Sequence, residues 1–398
     1  MNARIHPERS LTPESRTEDD FSLPGWIYSD PEFFELERKT IFSKCWHLVC
    51  HVNDVPEAGD FQTLNVINES ILTVRGKDGQ VRSFHNVCRH RASRLVDSES
   101  GNCGHMITCP YHAWSYATDG RLVGVPMRAN YPGMDPKQYG LAPIEQEIWR
   151  GFVFVRFAPG LPSVQDQFAP YADEIASAPL EDIRPLGPAR MQTRTVNWKN
   201  VSDNYSDGLH IPVSHPGLTR IFGKSYMVEA KEWVDKMSGE LVDHPSPHVS
   251  ERMYQSLIRG MAPKDGPAPL WSYYKLWPNV AIELYPDQID FMQFVPVSPT
   301  ETVLRYINYA MPDGRREMRA ARYLNWRINR LVNLEDKSLI ERVQAGMGSS
   351  SYTVGPLGEG EVCLRSFARR MRALFPEARQ GEAPPKGWSV NRKSPRPQ

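Results

Sequence analysis

The chain has 398 residues with 47 Lys plus Arg against 47 Asp plus Glu. That length can bury more than one core, and the zero formal charge gives no overall attraction to nucleic acid or to an anionic membrane. Apolar runs such as Phe152 to Val155 are strand-sized, far short of the roughly 18 to 20 residues of a spanning helix. The N-terminus, with Arg4, Glu8 and Arg9, shows no apolar stretch of the secretory type. Six cysteines (Cys45, Cys50, Cys88, Cys103, Cys109 and Cys363) are therefore expected to be reduced, as buried thiols or metal ligands, in a cytoplasmic protein.

Residues 1–40 read as a charged, proline-bearing arm and a first helix that packs on the larger domain. Residues 41–155 carry short strand patterns, among them Phe61 to Val66, Ile71 to Arg75 and Phe152 to Arg156, separated by turn signals such as Asp119-Gly120. This is a small all-β domain. Residues 156–380 mix elements: alternating apolar residues over Ser272 to Tyr285 and Asp290 to Tyr309 predict an antiparallel sheet, and 315–347 is the longest helical pattern. Residues 381–398 read as a flexible tail. The expected class is α+β, an all-β domain inserted in a larger domain of antiparallel sheet and helices.

In the β domain, Cys88-Arg-His90 and Cys109-Pro-Tyr-His112 form two hooks, each with one thiol and one imidazole. Such a set suits a tetrahedral zinc, or a 2Fe-2S cluster in which both cysteines hold one iron and both histidines the other. Zinc knuckles usually pair like ligands, whereas Cys-x-His with Cys-x-x-His is the pattern of a Rieske centre.

The second constellation is Asp203-Asn204-Tyr-Ser-Asp207-Gly-Leu-His210-Ile-Pro212-Val-Ser-His215. Asp203, Asp207 and His210 at i, i+4 and i+7 predict one face of a single helix, which Pro212 ends so that His215 turns back toward His210. Two histidines and one carboxylate on one side of Fe(II) leave positions open for dioxygen and substrate. The distant carboxylate is expected from the helix around 336. There Asp336 shares a face with Leu339, Ile340, Val343 and Met347, while Glu335 and Glu341 lie toward the polar sides. An acid on an apolar face is costly unless paired, so Asp336 reads as a metal ligand or as the partner of Arg327 or Arg330.

Both motifs, in this order, resemble the alpha (oxygenase) subunits of the Rieske non-haem iron, aromatic-ring-hydroxylating dioxygenase family. The resemblance covers about residues 25 to 375 and rests on Asn86-Val-Cys88-Arg-His90-Arg91, Cys109-Pro-Tyr-His112-Ala-Trp114, Asn197-Trp-Lys-Asn, Asp207-x-x-His210-x4-His215 and Glu335-Asp336. Ala92 departs from it, since the family commonly has glycine there. The resemblance implies a helix-grip-like catalytic domain, a Rieske cluster on Cys88, His90, Cys109 and His112, and a mononuclear iron on His210, His215 and Asp336. It also implies that Asp207 links the two centres of neighbouring subunits by bridging His112 and His210, hence a head-to-tail homotrimer, with or without a beta subunit.

The chain lacks a GxGxxG fingerprint after a strand and a second cysteine cluster. A partner reductase, with or without a ferredoxin, is therefore expected to deliver electrons from NAD(P)H, and dioxygen is the co-substrate. Asp203, Asn204, Trp271, Tyr273, Tyr285 and Phe294 are candidate pocket residues. The aromatic set of the sheet suits a benzenoid ring or a quaternary ammonium group, and Glu283, Asp287 and Asp290 would suit a cation. Relatives that demethylate betaine-like compounds often carry glutamate at the position of Asp207, whereas ring hydroxylases carry aspartate. Hydroxylation of an aromatic substrate in aromatic-compound catabolism is thus the first expectation, and oxidative N- or O-demethylation the second. A zinc-stapled binding module or a Rieske electron carrier is the alternative of another class.

Overall fold

Residues 16–391 are described by a computed structural model, in which the chain divides into two units. Residues 1–15 and 392–398, and with them most of the expected arm and the end of the expected tail, lie outside the described residues. Among the described residues no helix is long and apolar enough to cross a membrane.

The first unit comprises 41–169 and 179–185. It extends beyond the expected edge at 155, because Phe168 of the helix Val164–Phe168 stacks on Trp149 with ring centroids 4.3 Å apart. A three-stranded sheet sets Phe152–Arg156 between His47–His51 and Glu145–Trp149. Phe152 to Val155 are all buried, which is why this strand shows an unbroken apolar run. A four-stranded sheet runs Val81–His85, Glu69–Arg75, Asp60–Val66, Ser100–Asn102, and a smaller one runs Met106–Thr108, Ser115–Ala117, Leu122–Gly124.

The two hooks are loops of one design. Cys88 N–H donates to Ser93 O and accepts through its carbonyl from Ala92 N–H, and Cys109 makes the same two bonds with Trp114 and Ala113. Each loop closes through a residue with positive φ, Ala92 at 57° and Ala113 at 54°. An L side chain in this region costs about 1–2 kcal/mol, whereas glycine adopts it freely. Ala92→Gly is accordingly expected to stabilise the unit by about 1 kcal/mol, and Ala92→Val to destabilise it, both read from guanidinium unfolding. A Gly variant less stable than the parent would contradict this account.

The second unit comprises 16–40, 170–178 and 186–391. Its antiparallel sheet runs Arg190–Arg194, Glu301–Ala310, Ile289–Ser298, Val280–Leu284, Leu270–Leu276, Val234–Glu240, Met227–Ala230. The long helix Arg316–Met347 and the shorter Trp198–Ser206, Val249–Met261 and Val362–Leu374 accompany it. Trp271 to Leu276 are buried throughout, so both faces of this strand are covered. The tail is docked as far as Ser389: Gly387 and Ser389 donate to the Glu32 carboxylate, and Trp388 meets Trp26 edge-on at 6.0 Å.

One local expectation fails. The helix carrying Asp203 ends at Ser206, four residues before His210, and Asp207 is its C-cap in an extended conformation, φ −83° and ψ 120°. The Asp207 carboxylate accepts the Leu209 N–H at 2.7 Å, which offers the backbone a turn in place of helix. Pro212 lies in the first turn of the next short helix, Ile211–Ser214, where its missing N–H costs nothing. His210 and His215 thus flank a one-turn helix.

Candidate functional site

Both hook cysteines are buried, each 2 % exposed. Tyr116 Oη accepts the Arg89 N–H at 3.0 Å, so its own hydrogen is free to donate to Cys88 Sγ at 3.2 Å. Burial raises the Cys88 thiol above its ordinary value. At Cys109 burial acts the same way but is outweighed by the N–H groups of Tyr111 and His112, which hold that thiol below its ordinary value. The His90 and His112 rings lie 4.6 Å apart at 72°, and His90 is stacked on Trp114. Nδ1 of each histidine is buried without a hydrogen-bond partner. Two sulfurs supplied with donors and two orphaned ring nitrogens on twin loops form a donor set that fits a 2Fe-2S cluster with mixed ligation. All four predicted residues are brought together.

In the second unit His210 Nε2 lies 3.0 Å from His215 Nε2, and Asp336 Oδ1 lies 3.0 Å from His215 Nε2 and 3.5 Å from His210 Nε2. Among the described residues this is the group of three whose ligand atoms converge, all within 4.8 Å. Two ligands at right angles on bonds of about 2.1 Å stand about 3.0 Å apart, so the spacing fits a metal ion. The outer nitrogens are held as well: His210 Nδ1 meets Asp207 Oδ2 at 3.1 Å, and His215 Nδ1 meets Glu335 Oε2 at 2.7 Å. Each carboxylate is placed to accept a proton held on Nδ1, which would leave Nε2 free to face a metal ion. Burial opposes charge on these groups, yet Asp207 and Asp336 raise His210 to about 9, and the histidines lower Asp336 to about 2. The site favours positive charge at its centre.

Asp336 has the two histidines as partners, and neither Arg327 nor Arg330 pairs with it. Glu335 corrects the expectation for its face: it turns to His215. Its signal in the sequence is only its place beside Asp336, because one residue of helix is 100° and periodicity separates neighbours.

A cavity of about 440 Å³ opens on His210, His215 and Asp336. Asn204, Tyr273, Tyr285 and Phe294 line it as expected, together with Tyr205 and Tyr226, which sequence reasoning missed. Trp271 does not. It is fully buried among Phe222, Tyr254 and Tyr285 and donates to Tyr254 Oη at 2.9 Å. Asp203 faces a second cavity of about 400 Å³ with Tyr28, Asp207 and His210; it accepts from Tyr28 Oη at 2.9 Å, and burial lifts its carboxyl to about 6. Asn204 Nδ2 donates to Asp336 Oδ1 at 3.1 Å, placing it at the metal donors.

Two acids stand in the wall of the first cavity. Glu283 and Asp290 are cross-strand neighbours, 6 % and 9 % exposed. Glu283 accepts from Tyr205 Oη at 2.8 Å and Tyr285 Oη at 2.6 Å, and Asp290 accepts from Gln288. Among the described residues neither has a basic partner, and burial raises both carboxyls.

The family model for the ring hydroxylating alpha subunit (catalytic domain) matches residues 177–377, and that for the Rieske 2Fe-2S domain matches 45–140. The chain is 30% identical over 356 residues to the carnitine monooxygenase oxygenase subunit of Escherichia coli K12, covering 88% of this chain and 89% of that one. It is 36% identical over 220 residues to the glycine betaine monooxygenase oxygenase subunit of Pseudomonas aeruginosa PAO1, about half of each chain. The 2-aminobenzenesulfonate 2,3-dioxygenase subunit alpha of an Alcaligenes species is 28% identical over 381 residues, 89% of this chain and 93% of that one. Among solved structures, a quaternary ammonium Rieske monooxygenase superposes with a TM-score of 0.76 at 24% identity, over 94% of this chain and all of that one. Naphthalene 1,2-dioxygenase superposes with a TM-score of 0.72 at 21% identity, over 92% and 94%. A Rieske domain followed by a ring-hydroxylating catalytic domain, with 30% identity over 89% of the carnitine monooxygenase subunit, makes the chain an oxygenase (alpha) subunit of the Rieske non-haem iron oxygenases.

Proposed function

We propose that this terminal oxygenase oxidises a carbon bonded to the nitrogen of a small zwitterionic ammonium compound, as an N-demethylase. The observation that carries the reading is the pair Glu283 and Asp290: buried carboxylates without a basic partner, in a tyrosine-lined cavity that opens on the metal donors. Burying uncompensated acids is costly, and a ligand ammonium relieves that cost while the faces of Tyr205, Tyr226, Tyr273 and Tyr285 attract it as π-systems. Arg190 and Arg194 line the same cavity and supply the complementary charge for a carboxylate end. The carnitine and glycine betaine monooxygenase relatives agree with this class.

Cys88, His90, Cys109 and His112 hold the cluster in this reading, and His210, His215 and Asp336 the iron. When bound, the iron and cluster activate dioxygen with two electrons from the partner reductase, received directly or through a ferredoxin. One oxygen atom would enter the C–H bond beside nitrogen and the other would leave as water with two protons taken from solvent; the N-hydroxymethyl product then splits into the amine, formaldehyde and a proton. Glu283 and the tyrosines hold the nitrogen, Glu335 and Asp207 orient the two histidines, and Asn204 holds Asp336. A homotrimer accords with this scheme, Asp207 accepting from His210 and from the partner subunit's His112.

Hydroxylation of an aromatic acid remains the second reading, favoured by aspartate at 207, by Phe294 in the wall and by the aminobenzenesulfonate dioxygenase relative. The test is a screen of methylated ammonium acids against arene carboxylates with a surrogate reductase and mass readout. Formaldehyde with the demethylated amine is expected; an arene product carrying two added oxygens would overturn the proposal. Glu283→Gln is expected to raise KM for the cationic substrate at least about 30-fold with iron content unchanged. Affinity for the cation should rise with pH, since the raised carboxyls must ionise to receive it. A pH-independent affinity would remove Glu283 and Asp290 from recognition.

A further inference from the structure

The cavity side of the long helix carries Asn325, Asn329, Asn333 and Asp336, at offsets of 4, 8 and 11. That spacing places them on one face, and all four line the cavity on the metal donors. The three amides are oriented from one end. Asp287 Oδ1 accepts from Tyr254 Oη at 2.7 Å and from Asn325 Nδ2 at 3.2 Å. Asn325 Oδ1 is thereby turned the other way, where it accepts from Asn329 Nδ2 at 2.7 Å and from Gln288 Nε2 at 3.3 Å. Asn333 Nδ2 in turn donates to the Asn329 main-chain carbonyl at 3.0 Å. At the end of this relay Asn329 Oδ1 and Asn333 Oδ1 accept no hydrogen bond among the described residues, and each amide keeps one further N–H. Both side chains are half-buried.

We infer that Asn329 and Asn333 select a substrate bearing a hydroxyl group in addition to its ammonium group. The inference rests on the cationic substrate proposed above and adds a second recognition element to the same cavity. A hydroxyl matches an amide on both sides, donating to its oxygen and accepting from its N–H. A substrate lacking it strips water from the two amides and gives nothing back, and sites built to hydrogen-bond a hydroxyl reject the analogue without one. Asn333 and Asn329 precede Asp336 by three and seven residues, about 4.5 and 10.5 Å along the helix axis. Asn333 therefore lies nearer the carbon that is oxidised than Asn329 does.

The test uses two trimethylammonium acids that differ by one hydroxyl, carnitine and γ-butyrobetaine, with dissociation constants measured by calorimetry on the iron-loaded holoenzyme. The parent is expected to bind the hydroxylated compound about tenfold or more tightly. Asn329→Leu should bind both with the affinity the parent shows for γ-butyrobetaine, and Asn329→Gln, which keeps both the amide N–H and the acceptor, should retain part of the preference. Equal affinities in the parent, or a preference that survives in Asn329→Leu and in Asn333→Leu, would overturn the inference and leave the cationic reading standing. Binding of neither compound would remove the cationic reading and this inference with it.

Discussion

Asp207→Asn is expected to leave cluster and iron in place and to lower reductase-driven substrate oxidation by about 100-fold or more. In this chain the Asp207 carboxylate already accepts twice, from Leu209 N–H at 2.7 Å and from His210 Nδ1 at 3.1 Å. Its side chain is 19% exposed, so lone pairs remain for a third donor, the partner subunit's His112 in the proposed trimer. An amide has one accepting oxygen, and its NH₂ would face one of these N–H groups. The variant must give up the turn, the hold on His210 or the bridge. The loss of charge also weakens the preference for a proton on His210 Nδ1, while His215 and Asp336 keep their own partners, so the iron is expected to stay. Asp207→Glu keeps the charge and the two oxygens and should retain a measurable fraction of activity. Iron and acid-labile sulfide, about three irons to two sulfides per chain, serve as the control. Full activity in Asp207→Asn would dismiss the bridge. Low activity with half the iron missing would show a defect in the metal site instead.

The ligand motifs were legible because their spacing is short and their chemistry narrow. Cys88-x-His90 and Cys109-x-x-His112 fall on loops that the flanking strands predict, and His210 and His215 come together as expected although the helix expected to run from Asp203 through His210 stops at Ser206. That misplacement has a local cause. Asp207 caps a turn through the Leu209 N–H, and a side chain that competes with the backbone leaves no trace in a 3.6-residue pattern. Pocket residues were read less well for a different reason. Alternation along Leu270–Leu276 puts Trp271 and Tyr273 on the same face, and only the helix Val249–Met261, whose Tyr254 takes the Trp271 N–H, decides that one is core and the other cavity wall. Glu335 and the amide relay were invisible because each depends on partners more than 30 residues distant, His215 for the first and Asp287 for the second.

The same helix that leads to Asp207 is tied down by a fully buried ion pair, and Lys199→Met is expected to destabilise the second unit by about 3–5 kcal/mol. Lys199 Nζ and Glu37 Oε1 are 2.7 Å apart with both side chains 0% exposed. Trp198 Nε1 donates to Glu37 Oε2 at 3.1 Å, and the ammonium lies 5.0 Å from the Tyr28 ring centre. Burial pushes the Glu37 carboxyl up and the Lys199 ammonium down, with their mutual attraction opposing both shifts. The pair therefore gains little against two apolar side chains, while either member alone is a stranded charge. Glu37→Leu with Lys199→Met should recover most of what each single substitution loses, the large coupling expected of residues in contact. Denaturant unfolding of the four proteins measures it. Losses that merely add would mean the two charges are not interacting. In that case the hold of Trp198–Ser206 on the N-terminal segment would come from Tyr28 and Asp203 instead, whose hydrogen bond at 2.9 Å is the next contact along the same face.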